Sequence, residues 1–182
     1  MALTESQQIP LGTEAKPFSL PNVDGKTLSL ESFQHCAGLV LLFTCNHCPY
    51  AIAIEERFIN LANEYLDKGI GFAAIMSNDV ERYPKDHPDR MAERARELNY
   101  PYPYLYDATQ ETAKSYGAVC TPDFFVFDDN MRLAYRGRLD DNWKVPEKVT
   151  HEDLKLALDA ILAGSTPDPD QYPSMGCSIK WK

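Results

Sequence analysis

Two cysteines separated by two residues are the feature of this sequence with the clearest chemical potential. Cys45 and Cys48 follow the apolar run 39–43, and Pro49 then opens a segment with helical periodicity. A helix N-terminus presents free backbone N–H groups and the positive end of the helix dipole, which together stabilise an anion. The thiolate of a cysteine placed there is favoured, so the spacing predicts redox chemistry or metal binding.

Three further side chains are candidates to act with this pair. His47 directly precedes Cys48, and a nearby imidazolium lowers the pKa of a thiol. We therefore expect His47 to stabilise a Cys45 thiolate. Cys120 and Cys177 are candidate additional redox thiols, and the alternative for each is an unreactive buried thiol.

Composition limits the class of protein and its partners. The 182 residues, 44% hydrophobic and 25% charged, predict one soluble domain. A net charge of −9 argues against nucleic acid or an anionic membrane surface as the partner. The chain has five cysteines, an odd number, and its first residues do not resemble a secretory signal. These observations predict a reducing, cytoplasmic location without a disulfide framework.

The predicted elements alternate between strands and helices. Residues 18–30 resemble a β-hairpin around the turn Asp24-Gly25. The strand 39–43, the helix from Pro49 and the strand 70–76 form a right-handed βαβ unit. Further helices are expected from Pro88, between a cap at Asp107 and Gly117, and after a cap at Thr150, and further strands at 124–127 and 132–136. This order predicts an α/β fold with a central mixed sheet flanked by helices.

Several segments of the chain resemble known redox proteins. The strand, cysteine pair, proline and helix at 39–66, with Thr121-Pro122 before the strand 124–127, resemble the thioredoxin fold. The segment 17–26 resembles the alkyl hydroperoxide reductase/thiol-specific antioxidant branch, also called redoxins. The segments 44–50, 120–125 and 176–181 are similar to a peroxiredoxin-like subgroup, here with the motif Cys-Asn-His-Cys.

The resemblance implies a domain organisation. Residues 1–10 are a polar lead-in, residues 11–164 form a thioredoxin-like redoxin domain with an N-terminal β-hairpin extension, and residues 165–182 form a C-terminal tail. The tail contains three prolines. We expect it to be extended and packed on or near the surface of the domain, or mobile.

The resemblance also implies roles for the site residues. Cys45 is the exposed nucleophile and Cys48 the resolving thiol of a thiol-disulfide oxidoreductase that needs neither an organic cofactor nor a metal. Pro122 is expected in the cis form, where it presents the backbone of Thr121 to an extended substrate disulfide. The implied partners are a protein or small-molecule disulfide or thiol and an electron donor, and the oligomeric state stays open.

Three positions depart from the related families. Peroxiredoxins carry threonine where this chain has Cys45, and their peroxidatic cysteine corresponds to Cys48, so a thiol-dependent peroxidase is the alternative activity. Thioredoxins have a buried aspartate where this chain has Leu39. A histidine at the position of His47 resembles the disulfide-forming oxidases. We therefore expect a couple more oxidising than thioredoxin, and we expect Arg136, a candidate peroxidase arginine, to lie on the surface.

A metal-binding module is the alternative from a different class. Cys45, His47, Cys48 and Cys120 are soft ligands suited to Cu(I) or Zn(II). The adjacent His47 and Cys48 cannot easily bind one ion together with Cys45 on a rigid turn. We rank this alternative below the two enzymes.

Overall fold

The computed structural model describes residues 3–182, which form ten strands and four α-helices. The strands are β1 (Leu3–Glu5), β2 (Ser19–Pro21), β3 (Thr27–Ser29), β4 (Gly38–Phe43), β5 (Ile70–Met76), β6 (Tyr104–Tyr106), β7 (Cys120–Thr121), β8 (Asp123–Asp128), β9 (Leu133–Gly137) and β10 (Met175–Ser178). The helices are α1 (Pro49–Leu66), α2 (Pro88–Glu97), α3 (Glu111–Tyr116) and α4 (Asp153–Leu162). None of the helices within 3–182 combines the length and the apolar character that crossing a membrane requires.

A five-stranded mixed sheet forms the centre of the molecule, in the order β6-β5-β4-β8-β9. β4 pairs in parallel with β5 and antiparallel with β8. Every residue of β4 and β5 is buried, because helices or loops cover both faces of the sheet. The predicted α/β class and thioredoxin-like fold are confirmed.

Alternation along the strands divides the core into two layers. Val40 and Leu42 face one layer with the buried side of α1 and α4, while Leu39, Leu41 and Phe43 face the other. The second layer contains the β2–β3 hairpin and α3. The cysteines at the start of α1 belong to the first layer.

Two predicted helix caps are wrong. Gln110, not Asp107, is the N-cap of α3. Asp107 lies before the helix, and its buried carboxylate accepts a hydrogen bond from the N–H of Ala113 at 2.9 Å. α4 begins at Asp153 rather than directly after Thr150. Thr150 lies outside the helix, whose N-cap is Glu152, and its hydroxyl donates to the Asp141 carboxylate.

A second sheet joins the two ends of the described chain, β1 and β10, with the internal strand β7, in the order β1-β10-β7. β10 in the tail pairs antiparallel with β1 in the lead-in and with β7. Cys177 lies opposite Leu3 on one side and opposite Thr121 on the other. The tail is therefore extended, but at Cys177 it is buried, with 3% of the residue exposed.

Candidate active site

Cys48 is the N-cap of α1, which begins at Pro49 as predicted. The neighbouring thiols of Cys45 and Cys177 and the backbone of Ala51 favour the charged form of Cys48. These neighbours, Cys45 foremost, lower the pKa of Cys48 to about 4 against the opposing effect of burial. In the thiol form Cys48 donates to the carbonyl oxygen of Thr121 at 3.1 Å.

The pKa of Cys45 is displaced in the opposite direction. Its hydrogen bond to Cys48, its burial and the negative charge of Asp86 raise that pKa well above its usual value. The prediction that the helix and His47 favour a Cys45 thiolate is therefore wrong. The physical reason is position, because Cys48 and not Cys45 occupies the N-cap.

His47 makes its closest contact with a carboxylate rather than with a sulfur. His47 Nδ1 donates to Asp86 Oδ2 at 2.7 Å, and Asp86 is completely buried. The imidazole stacks on the ring of Tyr83, with 5.3 Å between the ring centroids. Within residues 3–182, His47 Nε2 is buried and has no hydrogen-bond partner.

Asp86 is the site residue that sequence reasoning missed. It ends a short 3-10 turn, Pro84–Asp86, in the loop after β5. Its Oδ1 accepts from the Asn46 backbone at 2.8 Å and its Oδ2 from Asn78 Nδ2 at 2.8 Å. The loop follows the carboxyl end of the strand beside β4, where loops of a parallel sheet converge, and that position is the signal that could have found it.

The loop that holds Cys45 and Cys48 is anchored at the residue between Cys45 and His47. Asn46 Nδ2 donates to the carbonyl of Lys85 at 2.9 Å, and Tyr104 donates its hydroxyl to Asn46 Oδ1 at 3.0 Å. These contacts add to the backbone bond from Asn46 to Asp86. The backbone and the side chain of Asn46 are thus both held by hydrogen bonds, which keeps the two cysteines in one arrangement.

The Thr121–Pro122 peptide bond is cis, as the resemblance implied. Thr121 contacts both cysteines, since its Oγ1 lies 3.6 Å from Cys45 Sγ and its carbonyl oxygen lies 3.1 Å from Cys48 Sγ. The structure therefore brings together the predicted site residues Cys45, Cys48, Thr121 and Pro122.

The two candidate additional thiols lie on opposite faces of the small sheet. Cys177 is paired with Thr121, while Cys120 is paired with Ser178, and successive residues of a strand point to opposite faces. Cys177 belongs to the same buried core layer as Cys45 and Cys48. Cys120 instead directs its Sγ to the carbonyl of Pro122 at 3.8 Å, and burial raises its pKa above its usual range.

Arg136 is buried, so its predicted place on the surface is wrong. Its guanidinium donates to Asp123 at 3.0 Å and to the carbonyl of Gly117 at 2.7 Å, and it lies 4.3 Å from the ring centroid of Phe125. Phe125 belongs to the core layer on the other face of the sheet from the cysteines. Arg136 therefore does not take the role of an arginine beside a peroxidatic cysteine.

The structure offers a metal ion a different set of ligands from the predicted one. Cys45, His47 and Asp86 offer ligand atoms that all lie within 4.8 Å of one another. Cys120 of the predicted set faces away from them, toward Pro122. Sulfur, imidazole and carboxylate are ligands that zinc accepts, although the nitrogen and oxygen here already share a hydrogen bond.

A cleft of about 270 Å³ adjoins the cis proline. Pro122, Ile54, Phe124 and Trp143 give it apolar walls, and Arg138 and Asp141 supply charged groups. Residues 172–175 of the tail form part of its lining.

Comparison with protein-family models gives one match over most of the chain. The model of the AhpC/TSA family matches residues 11–136. The thiol-disulfide oxidoreductase ResA of Bacillus thuringiensis is 22% identical over 164 residues, which are 90% of this chain and 83% of that protein.

Two solved structures are similar over nearly their whole length. An uncharacterized conserved protein from Geobacillus kaustophilus is 49% identical with a TM-score of 0.95, covering 100% of this chain and 97% of the other. A hypothetical protein from Sinorhizobium meliloti 1021 is 40% identical with a TM-score of 0.94, covering 98% of each chain. The similarity includes both ends of the chain, where β1 and β10 lie.

Proposed function

Because this chain belongs to the AhpC/TSA family, we propose that it is a thiol-disulfide oxidoreductase that works through Cys45 and Cys48. The observation that carries the proposal is that two free thiols at the start of α1 meet at Thr121, with Cys45 Sγ 3.6 Å from its hydroxyl and Cys48 Sγ 3.1 Å from its carbonyl oxygen. The opposite displacements of their pKa values are those of two thiols that hold one proton between them, as in the reduced state of a dithiol couple.

The shared proton gives both cysteines a role in exchange. Cys48 holds the charge at rest, and transfer of the Cys45 proton to Cys48 places the charge on Cys45, the residue with the larger exposed fraction at 4% against 0%. The Cys45 thiolate attacks one sulfur of a substrate disulfide to form a mixed disulfide, and the other substrate sulfur leaves as a thiolate that takes the proton from Cys48. The Cys48 thiolate then attacks Cys45, the bond between Cys45 and the substrate breaks, the remaining substrate sulfur leaves as a thiolate that solvent protonates, and the Cys45–Cys48 disulfide forms.

The surroundings of Cys45 support its role as the attacking sulfur. A thiolate with a high pKa is intrinsically more nucleophilic than one with a low pKa. Burial and the charge of Asp86 both raise the pKa of Cys45. The cleft beside Pro122 offers an apolar approach for one half of the substrate.

A first experiment separates exchange from peroxidase activity. Catalytic turnover of a small-molecule disulfide is expected to be lost in both Cys45→Ser and Cys48→Ser, whereas Cys120→Ser is the matched buried-thiol control and keeps it. Cys48→Ser should retain a mixed disulfide on Cys45, visible by mass spectrometry. Turnover in Cys45→Ser at the wild-type rate would contradict the proposal, whereas a single stoichiometric reaction of its Cys48 would not.

The peroxidase remains a second candidate because of Cys48. A thiolate with a pKa of about 4 at a helix N-cap is suited to attack a peroxide and form a sulfenic acid. Peroxide consumption that is lost in Cys48→Ser and kept in Cys45→Ser would favour this activity.

We also propose that the couple is more oxidising than thioredoxin. Hydrogen bonds that stabilise the Cys48 thiolate stabilise the reduced form, since the disulfide cannot accept them as well. Equilibration with glutathione should give a potential above about −270 mV, the value of thioredoxin. A potential at or below that value would refute this part of the proposal.

A further inference from the structure

The tail strand directs a third thiol at the site. β10 lies between β1 and β7 and packs against α1. Cys177 is paired with Thr121, and paired residues of antiparallel strands project to the same face. The Thr121 hydroxyl on that face lies 3.6 Å from Cys45 Sγ, so the Cys177 side chain points to the same cluster.

Cys177 and Cys48 lie on elements that pack together. β10 packs against α1, whose N-cap is Cys48, and Cys45, Cys48 and Cys177 all belong to the same buried core layer. The neighbouring Cys177 thiol helps to lower the pKa of Cys48. Cys48 therefore has two cysteine neighbours, Cys45 from its own loop and Cys177 from the tail.

The backbone beside Cys177 is built for close approach. A Cβ on Gly176 would lie 1.9 Å from the carbonyl oxygen of Thr121 and 3.1 Å from Pro122 Cδ. Only a residue without a side chain lets β10 lie this close to the loop of the cis proline. The position of Cys177 is thus fixed by packing on both sides of its strand.

We propose that Cys177 is a third redox thiol, which exchanges with the Cys45–Cys48 disulfide to form a Cys48–Cys177 disulfide. The inference rests on the proposed function, which supplies the first disulfide. The Cys177 thiolate attacks Cys48 Sγ, the bond between Cys48 and Cys177 forms, and the bond between Cys45 and Cys48 breaks.

The exchange is balanced without a further reactant. The electron pair of the broken bond leaves with Cys45, and the proton lost by Cys177 is taken up by Cys45. One disulfide is exchanged for another, so the oxidation state of the protein does not change. The exchange replaces Cys45 by Cys177 as the partner of Cys48 and returns Cys45 to the thiol state while the protein stays oxidised.

The experiment removes Cys45 and determines which thiol then forms a disulfide with Cys48. The full-length Cys45→Ser variant is treated with oxidised glutathione, and its disulfides are mapped by mass spectrometry without reduction. We expect glutathione to be displaced and a Cys48–Cys177 link to form. The link should be lost in Cys45→Ser/Cys177→Ala and kept in Cys45→Ser/Cys120→Ala, in which the buried thiol on the opposite face is removed.

The outcomes separate this inference from the proposed function. A Cys48–glutathione adduct that persists in Cys45→Ser, or a Cys48 that takes up neither partner, overturns the role of Cys177. Wild-type protein under the same conditions should yield the Cys45–Cys48 disulfide, whose absence would overturn the proposed function instead. Circular dichroism of each variant excludes loss of folding as the cause, and Cys177→Ser serves as a second substitution at that position.

Discussion

Two buried aspartates, Asp86 and Asp123, have the same exposure and opposite surroundings. Both are completely buried. Asp86 accepts hydrogen bonds from the Asn46 backbone, Asn78 and His47, and its charge acts on Cys45. Asp123 faces the buried guanidinium of Arg136, and burial raises its pKa to about 7 although the arginine opposes this.

The difference shows that burial of a charge does not by itself mark a functional site. Arg136 pairs Asp123 with a fixed positive charge, and the pair lies against the core layer on the face away from the cysteines. Among residues 3–182, Asp86 has the imidazole of His47 as its only basic partner, and its carboxylate lies within 4.8 Å of the Cys45 thiol. We expect the first pair to govern stability and the second to govern reactivity.

The largest effect is expected from breaking the Arg136 pair. Arg136→Met leaves Asp123 buried without its cation, which should lower the free energy of unfolding by about 3–5 kcal/mol. Urea denaturation measures this change. The matched control is Arg132→Met, since Arg132 pairs with Glu14 at the surface and should change stability by less than about 1 kcal/mol. Equal effects of the two substitutions would contradict a structural role for the buried pair.

A smaller effect, on a different quantity, is expected from Asp86→Asn. The substitution keeps an acceptor for Asn46 but removes the negative charge that raises the pKa of Cys45. The pH midpoint of Cys45 alkylation should therefore fall by about one pH unit. Residue-resolved mass spectrometry after alkylation over a pH series measures it.

The companion substitution sharpens the comparison. Asp123→Asn removes an equally buried charge, yet it should leave the midpoint of Cys45 alkylation where it is in the wild type. A shift in Asp123→Asn as large as in Asp86→Asn would mean that the two carboxylates do not differ in function as argued.

The sequence was sufficient for the parts of the site that lie in local motifs. The strand before Cys45, Pro49 at the start of the helix and Thr121-Pro122 before a strand are each recognisable within a few residues. Their juxtaposition follows from the βαβ unit and the resemblance. The assignment of the thiolate to Cys45 was wrong, because it depends on which residue is the N-cap and on a charge from another loop.

Local sequence patterns could not predict the positions of Asp86, Arg136 and β10, and the reason differs for each. Asp86 ends a polar loop and is buried only because that loop folds over the cysteines. Arg136 sits in a short strand whose inner face is decided by pairing with β8. β10 has four residues and pairs with the short strands β1 and β7, so no periodicity distinguishes it from an irregular tail.

The position of β10 also limits how a polypeptide could dock. An extended chain is commonly bound by adding a strand to the open edge of a sheet. The edge of β7 that faces β10 is already paired, residue by residue, with the tail. A protein partner that joins this edge as a strand must first displace residues 175–178, whereas the cleft beside Pro122 is available with the tail in place, since residues 172–175 form part of its lining.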